Sequence, residues 1–129
     1  IHFSIRVLLM NALLVFLGGG LGALCRYGVS RLFASSTDFP WATVSVNLLG
    51  CFAIGIFSFY AMRGQNTLIM FGIVGFLGGF TTFSSYGLEL MRMLESGLAK
   101  NFVVYLLASN VIGVLLVYVG YRLACNFIK

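Results

Sequence analysis

Apolar residues run along this chain in four long stretches that are separated by short polar connections. The stretches cover about residues 5–33, 41–62, 67–95 and 101–125. About 20 apolar residues suffice for an α-helix to cross the hydrocarbon core of a bilayer. The pattern therefore predicts an all-α membrane protein with four transmembrane helices, which form a single transmembrane domain over residues 1–129.

The composition agrees with a membrane protein. Hydrophobic residues make up 60% of the chain and charged residues 9%, and the mean hydropathy is +1.04. A soluble domain does not have such values. The net charge of +5 is spread along the chain, which argues against nucleic-acid binding and fits anchoring at the headgroups of a lipid bilayer. Because 129 residues are too few to enclose a wide pathway, we expect an oligomer.

The third apolar stretch contains residues that an ordinary membrane-spanning helix does not need. Residues 75–87 include four glycines and a cluster of hydroxyl side chains. A Gly-Gly pair beside Thr-Thr weakens helix propensity, and non-helical backbone at membrane depth persists only where protein buries it or a watery cavity adjoins it. We expect the helix to be broken at mid-membrane near residues 78–82. The glycine spacing alone fits a surface for helix packing equally well, but the run of hydroxyls favours a functional break.

Polar side chains also lie within the other apolar stretches. Asn47 either donates a hydrogen bond to a neighbouring helix or acts as a donor in a pore. Arg26 either extends to the headgroups, attracts anions at a vestibule or anchors polar groups of a neighbouring segment. Tyr105 and Ser109 are four residues apart and share one helix face, so they form a polar track or bond back to their own backbone.

Few acidic residues are available for ion coupling. A proton-coupled cation exporter needs an acid deep in a span, whereas Glu89 is near the end of its helix and three residues from Arg92, with which it can pair. The other polar groups within the spans are neutral and mostly donors, which suits an anion. The rings of Phe83 and Tyr86 either present their electropositive edges to that anion or simply pack. We find no nucleophile–base pair or phosphate-binding loop and expect no enzyme.

Basic residues are almost evenly divided between the two sides of the predicted membrane domain. If every span crosses, one side holds Arg6, Arg63, Arg122 and Lys129, and the other holds Arg31, Arg92, Lys100 and, if it extends outwards, Arg26. The positive-inside rule then gives almost no preferred orientation. Such a chain can insert in both directions, and two oppositely oriented copies can pair as inverted repeats do.

Residues 75–86 resemble the signature Gly-Phe-x-Gly-Gly-x-Thr-Thr-Phe-Ser-Thr-Phe of the Fluc (CrcB) fluoride channels. Two more motifs resemble the same family, Gly-Gly-Gly-x-Gly-Ala-x-x-Arg ending at Arg26 and Thr-x-x-Val-Asn-Leu around Asn47, so that the resemblance covers the whole chain. It implies a fluoride-selective channel of the cytoplasmic (inner) membrane that exports fluoride passively and confers fluoride resistance. The alternative is a small dual-topology, proton-coupled exporter of cations or drugs.

The resemblance also implies an assembly and a set of site residues. It implies an antiparallel, dual-topology homodimer with two pores and one structural Na+ at its centre, which the backbone carbonyls of Gly78 and Thr81 would hold. The vestibule arginine of the family corresponds to Arg26. The residues that correspond to the pore lining are Asn47, Phe83, Ser84, Ser85, Tyr86, Tyr105 and Ser109.

The chain departs from the family pattern at a few positions. Tyr86 stands where the family usually has Phe, so that one ring carries a hydroxyl that can bond or obstruct. Gly87 replaces a frequent Ser, and Val114 and Tyr118 stand where some members carry hydroxyls. These departures affect the expected polar track on the fourth helix, and they leave a heterodimer open beside the homodimer.

Overall fold

The computed structural model describes residues 4–34 and 38–127, and every regular element within them is a helix. Four helical runs are long and apolar enough to cross a membrane, which confirms the predicted all-α fold with four candidate spans. Helices α1, α2, α4 and α5 cover Ile5–Leu32, Trp41–Ala61, Phe83–Glu95 and Ala99–Phe127; α3 consists of a π-helical segment, Leu68–Leu77, and an α-helical turn, Gly78–Phe80. A second π-helical segment, Ala108–Ile112, lies within α5.

Two threonines interrupt the third candidate span between α3 and α4. Thr81 (φ −85°, ψ 158°) and Thr82 (φ −149°, ψ 122°) are extended, whereas Gly78 and Gly79 before them stay helical. The Thr82 hydroxyl accepts a hydrogen bond from the Ser85 amide at 3.2 Å. Thr82 is thus the N-cap of α4, because its side chain satisfies an amide that has no partner within the helix.

The helices pack in pairs. Helix α1 lies against α3, α2 against the C-terminal half of α5, and α4 against the N-terminal half of α5. Backbones touch between α1 and α3, because a Cβ atom added at Gly22 would overlap the Phe76 carbonyl. Small residues permit such close approach between helices in a membrane.

We expect the contact at Gly22 to be sensitive to a single methyl group. Gly22→Ala should lower the free energy of unfolding by about 1–3 kcal/mol, the usual cost of overpacking. Gly20→Ala is the matched control, since nothing lies within 4 Å of a Cβ atom added at Gly20. Thermal unfolding of both variants in detergent measures the difference, and equal stability would contradict the close packing of α1 on α3.

Buried side chains of α2, α4 and α5 form the core that adjoins the interruption. Its buried members are Val44, Tyr86, Met93 and Tyr105. Elsewhere many large apolar side chains of the described helices are exposed, such as Phe16 (76%) and Leu32 (81%). An apolar surface of this extent indicates contact with lipid, with another protein chain or with both.

Candidate functional site: a polar cavity at the interrupted helix

A cavity of about 330 Å³ lies beside the interruption, where α2, α3, α4 and α5 meet. It brings together six of the residues that the sequence singled out: Asn47, Gly78, Thr81, Phe83, Tyr86 and Ser109. Cys51, Thr82 and Asn110 also line it. No Asp, Glu, Lys, Arg or His is among the described residues of its wall, so the polar groups there are neutral.

Asn47 from α2 pairs with the extended backbone at Thr82. Its Nδ2 atom donates to the Thr82 carbonyl at 3.0 Å, and its Oδ1 atom accepts from the Thr82 amide at 2.8 Å. The side-chain amide therefore satisfies both backbone groups of one residue, which an interrupted helix would otherwise leave unpaired. One N–H of Asn47 remains after this pairing, because a side-chain amide has two donors.

The interruption also releases two backbone carbonyls. In a continuous α-helix, the Gly78 carbonyl would accept from the Thr82 amide, and the Thr81 carbonyl would accept from the Ser85 amide. Here the Thr82 amide bonds Asn47, and the Ser85 amide bonds the Thr82 hydroxyl. Both carbonyls thus lose their usual helical donors, and free carbonyls at a helix end or in unwound backbone suit Na+. The carbonyls that the resemblance implies as Na+ ligands are therefore available at this interruption.

Arg26 supports the same segment from α1. Its Nε atom donates to the Gly79 carbonyl at 3.0 Å, and the residue is half-buried. This contact matches the expectation of an anchor for polar groups of a neighbouring segment. Arg26 does not line the cavity among the described residues.

The two aromatic residues of α4 differ in their surroundings. Phe83 is 83% exposed, whereas Tyr86 is 6% exposed. Their ring centroids are 5.7 Å apart and the rings are tilted by 47°. Tyr86 also packs edge-on against Tyr105, with centroids 4.9 Å apart. The rings thus form a row that runs from the open side of the cavity into the core.

Tyr105 lies in the core rather than in the wall of the cavity. It is fully buried, and its hydroxyl donates to Oε2 of Glu89 at 2.6 Å. The other carboxylate oxygen accepts from the Thr43 hydroxyl at 2.7 Å. Glu89 therefore binds hydroxyls from α2 and α5, whereas its spacing had indicated a pair with Arg92. Thr43 was not among the predicted site residues, although it is four residues before Asn47 and so shares its helix face.

The serines of the predicted track lie in different surroundings. The hydroxyl oxygens of Ser84 and Ser85 lie 3.4 and 3.2 Å from the hydroxyl oxygen of Thr82. Neither serine lines the cavity. The Ser109 hydroxyl is buried and has no hydrogen-bond partner in the described part of the chain. Asn110, which the sequence argument left out, also reaches the cavity because it follows Ser109 in the π-helical segment.

A second cavity, of about 380 Å³, lies on the other side of Glu89, near the C-terminal end of α4. Its wall includes Asp38, Trp41, Glu89 and Arg92. The hydroxyls of Thr43 and Tyr105 bind the Glu89 carboxylate, and Tyr105 packs on Tyr86 of the first cavity. Two hydrogen bonds to Glu89 and one ring contact thus link the walls of the two cavities.

Four apolar spans define a multi-pass helical membrane protein, and an open cavity beside the interruption brings neutral polar side chains and aromatic rings together. Comparison with known proteins identifies the family. Residues 13–121 match the family described as CrcB-like protein, Camphor Resistance (CrcB), and the chain belongs to it. The resemblance seen in the sequence motifs is thereby confirmed.

Several relatives with curated names are similar over nearly their full length. A protein of Phocaeicola vulgatus named fluoride-specific ion channel FluC is 41% identical over 114 residues, which cover 85% of this chain and 94% of that protein. Proteins with the same name from Helicobacter acinonychis (41% over 119 residues, 87% of this chain and 93% of that protein) and Helicobacter pylori strain P12 (40% over 119 residues, 87% and 91%) are similar to the same extent.

Proposed function

We propose that this protein is a fluoride-selective channel that lets the anion leave the cell passively across the cytoplasmic membrane. One observation carries the proposal: neutral hydrogen-bonding side chains and aromatic rings meet in a cavity whose described wall holds no charged side chain. The names of the relatives from Phocaeicola and Helicobacter, fluoride-specific ion channel, agree with this chemistry.

Fluoride is small and strongly hydrated, so the removal of its water is the main barrier to its passage. The remaining N–H of Asn47 would replace part of that water, and the Ser109 hydroxyl, which is buried and has no partner in the described part of the chain, would be a second donor. Rings turned edge-on towards the ion present their positive edges, which supports roles for Phe83 and Tyr86. A narrow path of fixed donors favours the smallest halide, because a larger one neither fits nor bonds as strongly.

Other predicted residues extend this path beyond the cavity. Ser84 and Ser85 would continue the row of hydroxyls from Thr82 towards the side on which Phe83 is exposed. Tyr105 would continue it inwards to the second cavity. Arg26 would act at the vestibule, where its side chain donates to the Gly79 carbonyl.

A second, oppositely oriented copy would complete the site. Phe83 exposes 83% of its surface at the edge of the cavity. A second protein chain would bury this large aromatic ring beside the polar pathway. The near balance of basic residues permits both orientations in one membrane. These features support an antiparallel homodimer with one pore on each side, and the same reasoning admits a related partner chain in a heterodimer.

A structural Na+ at the centre of that dimer accounts for the carbonyls at the interruption. Gly78 and Thr81 would hold it with the same atoms of the second copy, because their helical donors are taken elsewhere. When bound, the cation supplies positive charge that offsets the aligned carbonyl dipoles. A crystal structure of the dimer should show the ion between the four carbonyls, and carbonyls bonded only to protein donors would contradict the assignment.

The proposal is tested on purified protein in liposomes that contain potassium fluoride. Adding a potassium ionophore should start rapid fluoride efflux, followed with a fluoride electrode, and chloride-loaded liposomes should release little chloride. Liposomes without protein are the control. Absence of fluoride efflux from liposomes that contain folded protein would contradict the proposal. Uptake of an organic cation driven by a pH gradient would instead support an exporter, which the double hydrogen bonding of Glu89 does not favour.

A further inference from the structure

The hydroxyl of Tyr86 contacts the side-chain amide of Asn110. A third group, the carbonyl of Leu106, shows which atom of that amide the hydroxyl meets. Asn110 places its Nδ2 atom 2.9 Å from this hydroxyl and 2.7 Å from the carbonyl of Leu106. A backbone carbonyl only accepts hydrogen bonds, so the atom that faces it must be the amide nitrogen and not the amide oxygen. The same nitrogen therefore donates to Tyr86 as well.

This assignment determines the direction of the hydrogen bond at the tyrosine. Both N–H groups of Asn110 are used, one on Leu106 and one on Tyr86, and the tyrosine oxygen is the acceptor. The single O–H proton of Tyr86 must then point away from Asn110. Tyr86 is 6% exposed and lines the cavity, as does Ser109, whose hydroxyl is buried and has no partner in the described part of the chain.

We propose that Tyr86 donates its hydroxyl proton to the anion in this cavity, and that Asn110 is the positioning residue that turns the proton towards it. The inference rests on the proposed function and adds a donor that a phenylalanine at this position does not supply. Fluoride is a strong hydrogen-bond acceptor, so one more O–H donor beside Ser109 and Asn47 favours it over larger halides. The hydroxyl that distinguishes this chain from the family signature thus binds the ion rather than obstructing it.

The first test measures the fluoride concentration that gives half-maximal flux through the reconstituted protein. In Tyr86→Phe this concentration should rise about tenfold, as expected for the loss of a hydrogen bond to a charged group. Tyr27→Phe is the control, since this tyrosine lies on α1, is 63% exposed and is absent from the wall of the cavity. This control should leave the half-maximal concentration unchanged.

A double-variant comparison tests the positioning role. Asn110→Leu should raise the half-maximal concentration to a similar extent, because no donor then keeps the Tyr86 proton turned away from position 110. The half-maximal concentration of the double variant Tyr86→Phe/Asn110→Leu should be no higher than that of the more affected single variant, since both changes remove the same interaction. Additive effects would overturn the coupling between the two residues.

A spectroscopic readout separates ion contact from a structural effect. In protein labelled with ¹³C at tyrosine Cζ, added sodium fluoride should shift the resonance that is missing from Tyr86→Phe, and Asn110→Leu should reduce that shift. An unmoved resonance, or equal half-maximal concentrations in wild-type protein and Tyr86→Phe, would overturn the inference. Wild-type protein that moves no fluoride would instead overturn the proposed function, so the two failures are distinct.

Discussion

Replacing Asn47 with leucine is expected to reduce fluoride efflux from liposomes by about a hundredfold or more. The change removes both hydrogen bonds to the extended backbone at Thr82 and the second N–H of a side chain that lines the cavity. Each buried polar group left without a partner costs about 1–3 kcal/mol, and Thr82 would have two such groups. The shape of the interruption and a donor for the ion would therefore be lost together.

Two comparisons make the Asn47 result specific. Asn47→Asp keeps an acceptor for the Thr82 amide but loses the donors, so efflux should also fall strongly while the protein still folds. Asn66→Leu removes another amide, one that bonds Asn11 at 3.0 Å on an exposed surface, and should leave efflux near the wild-type value. Efflux that survives in a folded Asn47→Asp protein would remove the amide donors from the mechanism.

Replacing Phe83 with isoleucine is expected to abolish fluoride efflux while the proposed dimer remains intact. Isoleucine keeps an apolar side chain of considerable size but has no ring edge to present to an anion. Phe127→Ile is a matched control, because Phe127 is exposed to almost the same extent (84% against 83%) but lies at the far end of α5. Electrode recordings give the efflux and size-exclusion chromatography gives the assembly. Unchanged efflux in Phe83→Ile would remove this ring from the pathway.

The sequence predicted the helices well because hydrophobicity alone defines a span in lipid. It located the interruption less accurately. The prediction centred on residues 78–82, but Gly78–Phe80 stay helical and only Thr81 and Thr82 are extended. Glycine tolerates a break but does not cause one. The Thr82 hydroxyl caps α4, and the Asn47 amide pairs with the backbone groups of Thr82 that have lost their helical partners. The Asn47 contact joins residues 35 positions apart, which local propensity does not report.

The π-helical segments were beyond the reach of the sequence argument. Leu68–Leu77 is apolar on every side, so its hydrophobic pattern has no phase that distinguishes one helical geometry from another. The spacing of Tyr105 and Ser109 predicted a shared polar face, yet Tyr105 turns to Glu89 in the core while Ser109 reaches the cavity. Asn110 lies beside Ser109 in the π-helical segment Ala108–Ile112, and its side chain reaches the hydroxyl of Tyr86.

The most direct test of a passive fluoride pathway is the reversal potential of the current through purified protein in a planar bilayer. With fluoride at different concentrations on the two sides and chloride equal, the current should reverse at the Nernst potential of fluoride and stay there when a pH gradient is imposed. A reversal potential that follows the proton gradient, or one that remains at zero despite the fluoride gradient, would contradict the account.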